Sequence, residues 1–400
     1  MVMMTKEFIL HLSLIENIGA ATIQTIMTTQ RSDAQASDLY LFSPEQWRTV
    51  FGLSEKAADL ITVGLADTQV LEKELLLIEQ NNIQWATLFD DEYPAILREI
   101  YCPPAVLYWQ GTAIFNDGAK SLAIVGSRAS NTYGHKVVTT LVPEMVNAGW
   151  TIVSGGARGI DTTAHETAHK AGGKTIVVVG SGLLVTYPPS NKNLFKTIAE
   201  QGGLIVSCFP LLMEALPGHF PARNRIIAGL SHGCLVVQAA QKSGALITAH
   251  YALEQGRDVF AVPGPIDDPL SAGCHKLIQN GAKLVASCAD ILSEYGQRVV
   301  MRDVQVTLHE AQKLVEKDIQ HASIKSVRPE PVEGYRTVID DSLTPNQQKI
   351  IQICARQSSL DDIIDATGFD MALLQAELFD LQIAGKIQQG FTGLWKVTHL

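Results

Sequence analysis

Residues 121–161 read SLAIVGSRASNTYGHKVVTTLVPEMVNAGWTIVSGGARGID. Two short apolar runs, 121–125 and 151–153, are each followed by a loop rich in glycine and arginine, and a helical run at about 134–148 separates them. A strand, a helix and a second strand are the parts of a βαβ unit, in which the two strands are parallel. The stretch therefore predicts parallel strands with a basic loop beyond each one.

The same alternation continues along the chain to residue 262. Alternating strands and helices are typical of an α/β protein, a doubly wound parallel sheet with helices on both faces. In such sheets ligands bind beyond the carboxyl ends of the strands, where the loops of this chain carry glycine and arginine. Further strands are predicted at 175–179, 203–206, 233–237 and 258–262, with helices at about 161–171, 191–201, 222–231 and 245–255.

Residues 1–83 are predicted to form a separate helical domain. Apolar residues flank Gly19-Ala20, and a weaker version of the pattern surrounds Gly52. Helix pairs of this kind occur in small bundles and in SAM-like or helix-hairpin-helix domains that contact the DNA backbone. The first turn carries no Lys or Arg, which favours the bundle.

The core domain is predicted to span 84–296. It begins with a connector at 84–120 that contains the strand-like run Ala105–Trp109. The polar segment 297–343 is predicted to be a linker.

Residues 344–400 are predicted to form a C-terminal domain with the winged-helix order of three helices and a hairpin. The helices are expected at 345–355, 361–367 and 371–385, and the hairpin at 386–397. The domain holds four basic and six acidic residues, so we expect a protein-interaction or regulatory module and not a duplex reader.

Composition limits the functional classes. The chain has 400 residues, which favours two or three domains, and no apolar run approaches the roughly 20 residues of a membrane span. The first residues lack a signal-peptide pattern and the six cysteines are scattered, so we expect a cytoplasmic protein with reduced thiols.

Charge is unevenly distributed. The net charge is −10, yet Lys120 to Gly296 carries 14 Lys and Arg against 11 Asp and Glu, while the remainder carries 17 against 30. The core is locally cationic, and the local field matters more for an anionic partner than the total does.

The run His219-Phe-Pro-Ala-Arg-Asn-Arg-Ile-Ile-Ala228 places two arginines and an asparagine where a helix is predicted to start. Free backbone N–H groups at a helix start bind anions. Together with the loops at Gly126-Ser-Arg128 and Ser154–Asp161, this predicts a site for several phosphates.

Several better-known sites do not fit. The loop after residue 125 is not GxGxxG and no acidic residue follows at the ribose position, which argues against NAD, and no Walker sequence is present. His165-Glu-Thr-Ala-His169 matches HExxH, but it follows a phosphate-type loop and no third ligand is identifiable, so no metal is expected. Ser243 is not in GxSxG and is predicted to cap a helix.

Residues 85–296 resemble the DNA-processing protein A family (DprA, also called Smf). The resemblance rests on many blocks in order, among them Gly126-Ser-Arg128, Ser154-Gly-Gly-Ala-Arg-Gly-Ile-Asp161, Phe220-Pro-Ala-Arg-Asn-Arg-Ile-Ile-Ala228, Ser243-Gly-Ala-Leu-Ile-Thr248 and Gly256-Arg-Asp-Val-Phe-Ala-Val-Pro-Gly264. Two departures are Gln238, where the family often has glutamate, and the residues near His275, where it often has asparagine.

The resemblance implies an extended Rossmann core and a bacterial cytoplasmic protein without enzymatic activity. Such a protein binds single-stranded DNA, helps load the RecA recombinase on it in natural transformation, dimerises, and needs neither nucleotide nor metal. It further implies that Arg128, Arg223 and Arg225 contact DNA phosphates and that Phe220 lies near a base. The remaining expected DNA-binding residues are Ser127, Gly155, Gly156, Arg158, Asn224, Ser243, Gly244 and Thr248.

Two other functions remain open on the sequence alone. A nucleotide-hydrolysing enzyme of related Rossmann architecture would carry a Pro-Gly-Gly-x-Gly-Thr loop and a glutamate, and only Pro263-Gly-Pro265 echoes it. A nucleotide sensor without a DNA role would bind a mononucleotide tightly and be indifferent to added oligonucleotide.

Overall fold

The computed structural model describes residues 5–29, 36–113, 115, 118–296, 343–354, 363, 366–369, 371–384, 386–389 and 395–397. The chain divides into two compact units, Met1–Val315 and Glu316–Leu400. No described helix is long and apolar enough to cross a membrane.

The centre of the first unit is a nine-stranded sheet in the order β1-β2-β6-β5-β4-β3-β7-β8-β9, in which β1 is Gln84–Thr87 and β2 is Val106–Gly111. The strands from β3 to β9 pair in parallel with one another. Strands β3 to β7 are buried at every position, as expected of strands covered on both faces. Their bounds are β3 (Ser121–Val125), β4 (Thr151–Ser154), β5 (Thr175–Val178), β6 (Leu204–Ser207), β7 (Gly233–Val236), β8 (Asp258–Ala261) and β9 (Lys283–Leu284).

Helices follow the strands as the alternating pattern predicts. They are α8 (Thr132–Asn147), α9 (Ile160–Lys170), α10 (Lys192–Glu200), α11 (His219–Gly229), α12 (Gly244–Glu254), α13 (Ala272–Gln279) and α14 (residues 288–296). The prediction of a doubly wound α/β sheet is confirmed.

Strand order changes direction at the boundary between β3 and β7. The connections from β3 to β6 step toward one edge of the sheet, and the connection through α11 returns the chain to the other side of β3. A reversal of this kind opens a crevice beyond the carboxyl ends of the two strands. The loops after β3 and β7 therefore flank the place where a ligand is expected.

The segment 84–120 is more than a connector. It contributes β1 (Gln84–Thr87) and β2 (Val106–Gly111), which extend the sheet in antiparallel fashion beyond β6. The predicted run 105–109 covers most of β2, but β1 escaped prediction because four residues with two polar side chains show no useful alternation. A short helix, α7 (Ala95–Arg98), lies between the two strands.

The N-terminal helices share one apolar core with the edge of the sheet. Phe8, Trp47 and Ile61 are buried in the same cluster as Val106 and Tyr108 of β2. Helix bounds are α1 (Lys6–Leu14), α2 (Ala20–Thr28), α3 (Ala36–Leu39), α4 (Pro44–Phe51), α5 (Glu55–Ala66) and α6 (Thr68–Gln80). Burial of large apolar side chains at about 1.5–3 kcal/mol each holds the bundle against the sheet.

The turn between α4 and α5 is well formed. Ser43 caps α4 in a reciprocal capping box with Gln46, Gly52 adopts a left-handed conformation at φ 68°, and Ser54 caps α5. Acidic side chains of Glu45, Glu55 and Asp59 line the groove beside this turn. The domain bounds 1–83 and 84–296, and the SAM or helix-hairpin-helix class, stay predictions.

The second unit contains α15 (Pro345–Cys354), α16 (Met371–Ile383) and an antiparallel pair, β10 (Ile387–Gln389) and β11 (Trp395–Val397). Their core includes Ile350, Leu374 and Trp395. Most of the predicted helix 361–367 and of the predicted linker 297–343 lies outside the described residues. The winged-helix class stays a prediction.

Candidate nucleic-acid interface

The loops at the carboxyl edge of the sheet differ in charge from strand to strand. Arg158 follows β4, Arg128 follows β3 and Lys242 follows β7, and all three side chains are exposed. The loop after β6 carries Glu214, and the loop after β8 carries Asp267 and Asp268. The cations therefore follow the central strands and the acids follow the outer ones, which favours an anion at the middle of the edge.

The β3 loop is held by backbone contacts on both sides. The Ser127 N–H donates to the Gln238 carbonyl at 2.8 Å, and the Ile160 N–H donates to the Ser127 carbonyl at 3.3 Å. Gly159, at φ 81°, allows the β4 loop to approach so closely, because a Cβ atom there would meet the carbonyls of Ser127 and Arg128. Two predicted phosphate loops are thus packed against each other.

Arg128 lies over an aromatic ring. Its guanidinium carbon is 5.2 Å from the ring centroid of Phe220, in cation–π geometry. Phe220 is in turn 5.6 Å from the Tyr187 ring, centroid to centroid. An exposed charge and two rings therefore form a continuous surface at this edge.

Arg223 occupies a different position from the one predicted. Its side chain is only 4% exposed, and its Nη1 donates to the carbonyls of Gly155 and Val178, at the ends of β4 and β5. Burial lowers the pKa of its guanidinium to about 10, still well above neutral pH. Arg223 thus ties two strand ends together and contributes its charge from beneath the surface.

Arg225 faces away from Arg223. Its Nη1 donates to the carbonyls of Tyr101, at 2.8 Å, and Cys102, at 2.5 Å. Residues two apart on a helix point to opposite sides, because each residue turns the chain by about 100°. The structure therefore does not bring Arg225 together with Arg128 and Arg223.

Helix α11 begins earlier than predicted, at His219 instead of residue 222. Pro221 is tolerated because the first helical turn needs no N–H donor there. Arg223, Asn224 and Arg225 consequently lie within the helix, where their N–H groups are used by it. The predicted combination of their side chains with free N–H groups is wrong.

A second group of predicted residues meets at the start of α12. Ser243 caps that helix through the Ala245 N–H at 3.3 Å, as predicted, and Asn224 Nδ2 donates to the Gly244 carbonyl at 3.3 Å. Gly244 is exposed, with nothing within 4 Å of where a Cβ would stand. Thr248 is buried one turn further on, at 1% exposure, so its hydroxyl is not offered at the surface.

Buried titratable groups lie directly below the β4 loop. Asp161, in the first turn of α9, accepts from the Ala157 N–H at 3.3 Å, and Gly159 is the N-cap residue of that helix. Burial raises the pKa of Asp161 to about 6, against the opposing effect of Arg223. Burial, helped by Arg223, lowers the pKa of His165 to about 3, so this histidine is neutral.

The first histidine and the glutamate of the HExxH motif make contacts within the fold. His165 is fully buried with its Nδ1 2.7 Å from the Thr175 hydroxyl, while Glu166 pairs with Lys170 at 3.8 Å. Within the described part of the chain, no three His, Cys, Asp or Glu side chains are grouped as a metal site would require.

Sequence reasoning missed the residues that hold the loops in place. Gln238 bonds Asn131 at the start of α8, and Asn191 Nδ2 donates to the Gly156 carbonyl at 2.9 Å. Asn131 was identifiable, since an Asn before a helical run is a strong cap. Gln238 and Asn191 carry no such signal, because their partners lie 107 and 35 residues away.

A known protein family matches the core of this chain. The profile of the family described as DNA recombination-mediator protein A matches residues 84–296. The DNA processing protein DprA of Streptococcus pneumoniae is 49% identical over 209 residues, covering 52% of this chain and 73% of that protein. Protein Smf of Synechocystis is 37% identical over 321 residues, covering 78% of this chain and 79% of that protein.

A solved structure agrees with these sequences. The X-ray structure of DprA from Streptococcus pneumoniae matches with a TM-score of 0.55 and 38% identity, covering 69% of this chain and 98% of that one. The profile match spans more than half of the chain and includes every loop of the carboxyl edge. The chain therefore belongs to the DNA recombination-mediator protein A family.

Proposed function

We propose that this protein binds single-stranded DNA at the carboxyl edge of the sheet and promotes the loading of RecA on that strand. The observation that carries the proposal is the surface formed by Arg128, Phe220 and Tyr187, with Arg158 in the adjacent loop. Guanidinium groups bind phosphates of any sequence, and aromatic faces stack on unpaired bases.

The proposal gives the predicted residues different roles. Arg128 and Arg158 are exposed and contact phosphates, while Ser127, Asn224, Ser243 and Gly244 line the crevice. Arg223, Gly155, Gly156 and Thr248 are buried and shape the site from below. Arg225 holds the segment 101–102 and has no contact with DNA in this proposal.

The activity we propose is non-enzymatic and uses neither nucleotide nor metal. Acting on incoming DNA during transformation, the protein would work in the cytoplasm as a homodimer. Two copies offer two sites to one strand, which raises avidity.

The test is a fluorescence-anisotropy titration of labelled oligo-dT at several salt concentrations, with a duplex of equal length alongside. We expect single-strand preference and a slope of log affinity against log salt of about −0.7 for each phosphate neutralised. Arg128→Ala and Arg158→Ala should each weaken oligo-dT binding about tenfold. Each should also make the salt slope shallower by about 0.7, the contribution of one neutralised phosphate. Lys170→Ala, at the opposite edge of the sheet, is the matched control and should bind normally.

Equal binding by all three variants would contradict this site. Absence of DNA binding together with cleavage of AMP to ribose 5-phosphate would replace the proposal with the enzymatic alternative. RecA loading is tested separately, by the lag in RecA filament assembly on oligo-dT with and without the protein.

A further inference from the structure

The apolar surface that begins at Tyr187 extends beyond the proposed phosphate site. The loops after β5 and β6 carry four large apolar side chains that remain substantially exposed. They are Tyr187 (44%), Leu212 (47%), Met213 (36%) and Leu216 (49%), and we call them the apolar ledge.

The two loops that form the ledge are joined to each other. The Gly182 N–H donates to the Met213 carbonyl at 2.8 Å, and the Leu184 N–H donates to the Leu211 carbonyl at 3.1 Å. Below them the Ser207 hydroxyl donates to the Ser181 carbonyl at 2.7 Å. These bonds fix the backbone on which the ledge side chains stand, so the surface is built into the fold.

The ledge begins beside the cationic surface, at Tyr187. Arg128 contacts Phe220, whose ring is 5.6 Å from that of Tyr187. Tyr187 stands on the loop after β5, whose backbone is hydrogen-bonded to the loop after β6 that carries the other three side chains. A strand with a phosphate at Arg128 would meet the ledge within the length of a few nucleotides.

The ledge is unsuited to phosphates. Residues 180–191 and 208–218 contain no Lys or Arg, and their one charged residue is the acid Glu214. A DNA backbone would be drawn toward Arg128 and Arg158 and repelled from the ledge. The parts of a strand that fit an apolar, cation-free surface are the faces of unpaired bases.

We propose that the apolar ledge docks the unpaired bases of the same strand whose phosphates bind at Arg128 and Arg158. This inference rests on the proposed function. In a duplex the base faces are stacked and hidden, so a duplex gains only the phosphate contacts. The ledge is then the element that makes the site prefer single strands.

The test compares oligo-dT with an abasic oligonucleotide of equal length, which keeps the phosphates and lacks the bases. The variants are Tyr187→Ala and the double variant Leu212→Ser/Met213→Ser, in the full chain. We expect each to weaken oligo-dT binding about tenfold and abasic binding less than twofold. The ratio of single-strand to duplex affinity should fall by the same tenfold factor.

Leu76→Ala is the matched control, because Leu76 is an exposed apolar residue of α6. This substitution should change neither the ratio of oligo-dT to abasic affinity nor the ratio of single-strand to duplex affinity. Thermal melting of each variant separates local effects from unfolding. The double variant tests the same surface should Tyr187→Ala not fold.

Equal losses on oligo-dT and abasic DNA would overturn the inference, as would unchanged binding of both. Unchanged DNA binding with lost stimulation of RecA assembly would assign the ledge to a protein partner instead. A wild-type protein that binds no single strand would refute the proposed function itself. Normal Arg128 and Arg158 effects with a silent Leu212→Ser/Met213→Ser variant would refute only the ledge.

Discussion

The side-chain amide of Gln238 holds Asn131 from two directions. Its Nε2 donates to Asn131 Oδ1 at 2.8 Å, and its Oε1 accepts from the Asn131 N–H at 3.2 Å. Gln238 is buried, and its own carbonyl accepts from the Ser127 N–H. One residue just beyond β7 thus fixes both the β3 loop and the start of α8, across the crevice where the strand order reverses.

Replacing this amide by a carboxylate should make DNA binding depend on pH. Gln238→Glu introduces the residue that the family often has here and is nearly isosteric. In this chain, however, an ionised carboxylate cannot donate to Asn131 Oδ1 and brings a negative charge beneath the β3 loop. We expect oligo-dT affinity to fall about tenfold at pH 7.5, which corresponds to about 1.4 kcal/mol. Protonation at lower pH restores a donor and removes the charge, so the loss should shrink toward pH 5, as measured by anisotropy.

Gln241→Glu is the control for the charge alone, since Gln241 is exposed on the same loop. Its carboxylate should titrate near the ordinary value of about 4.3. A Gln238→Glu variant whose pH profile matches that of Gln241→Glu would show that the contact with Asn131 plays no part.

Arg223→Lys should weaken both folding and DNA binding. The substitution keeps the positive charge but removes the fixed guanidinium geometry that spans the carbonyls of Gly155 and Val178. We expect the free energy of unfolding in urea to fall by about 1–3 kcal/mol and the affinity for oligo-dT to fall with it.

Arg225→Lys separates the two effects. It is the same substitution on the same helix and loses comparable carbonyl contacts, to Tyr101 and Cys102. Stability should decrease, but oligo-dT affinity and its salt slope should not change. A shallower salt slope of oligo-dT binding for Arg225→Lys would show that Arg225 contacts a phosphate.

His165 should make the fold less stable in acid. Its pKa is about 3 in the folded protein, because it is buried beside Arg223, and about 6.5 in the unfolded chain. Between these values the unfolded state binds one more proton, so stability falls as pH decreases below 6.5, by about 1.4 kcal/mol per pH unit. Asp161 acts in the opposite sense, since its raised pKa of about 6 makes the folded state bind more protons between pH 3.8 and 6.

A comparison with His165→Gln isolates the histidine, because Asp161 is present in both proteins. The difference in unfolding free energy, wild type minus variant, should decrease steadily from pH 6.5 to pH 4. A difference that is independent of pH would show that His165 takes up its proton equally in both states.

Gly159→Ala should disturb the site through the backbone. The residue sits at φ 81°, and a Cβ atom would meet the carbonyls of Ser127 and Arg128. We expect a loss of stability above about 1 kcal/mol and weaker oligo-dT binding, measured by thermal melting and anisotropy. Gly172 also has a positive φ, of 73°, but a Cβ atom there would meet nothing within 4 Å. Gly172→Ala should therefore lower stability and leave oligo-dT binding unchanged.

The alternation of apolar runs and helices was sufficient to determine the α/β class, the parallel strands β3 to β8 and the edge at which the basic loops meet. These features follow from local periodicity and from the rule that parallel strands end at one edge. Arg128, Arg158 and Ser243 could be placed for the same reason, since each lies directly after a strand or before a helix. The strand β1 could not be predicted, because its four residues, two of them polar, show no useful alternation.

Tertiary structure alone decided which arginine is buried and which backbone carbonyls each arginine bonds. Arg223 and Arg225 are two residues apart in one motif, yet one joins Gly155 to Val178 and the other bonds Tyr101 and Cys102. The same holds for Gln238 and for the apolar ledge, whose loops come from different strands. Sequence order specifies which loop comes after each strand. The packing of distant segments specifies which partners each side chain contacts, and the burial and hydrogen bonding of that side chain depend on those partners.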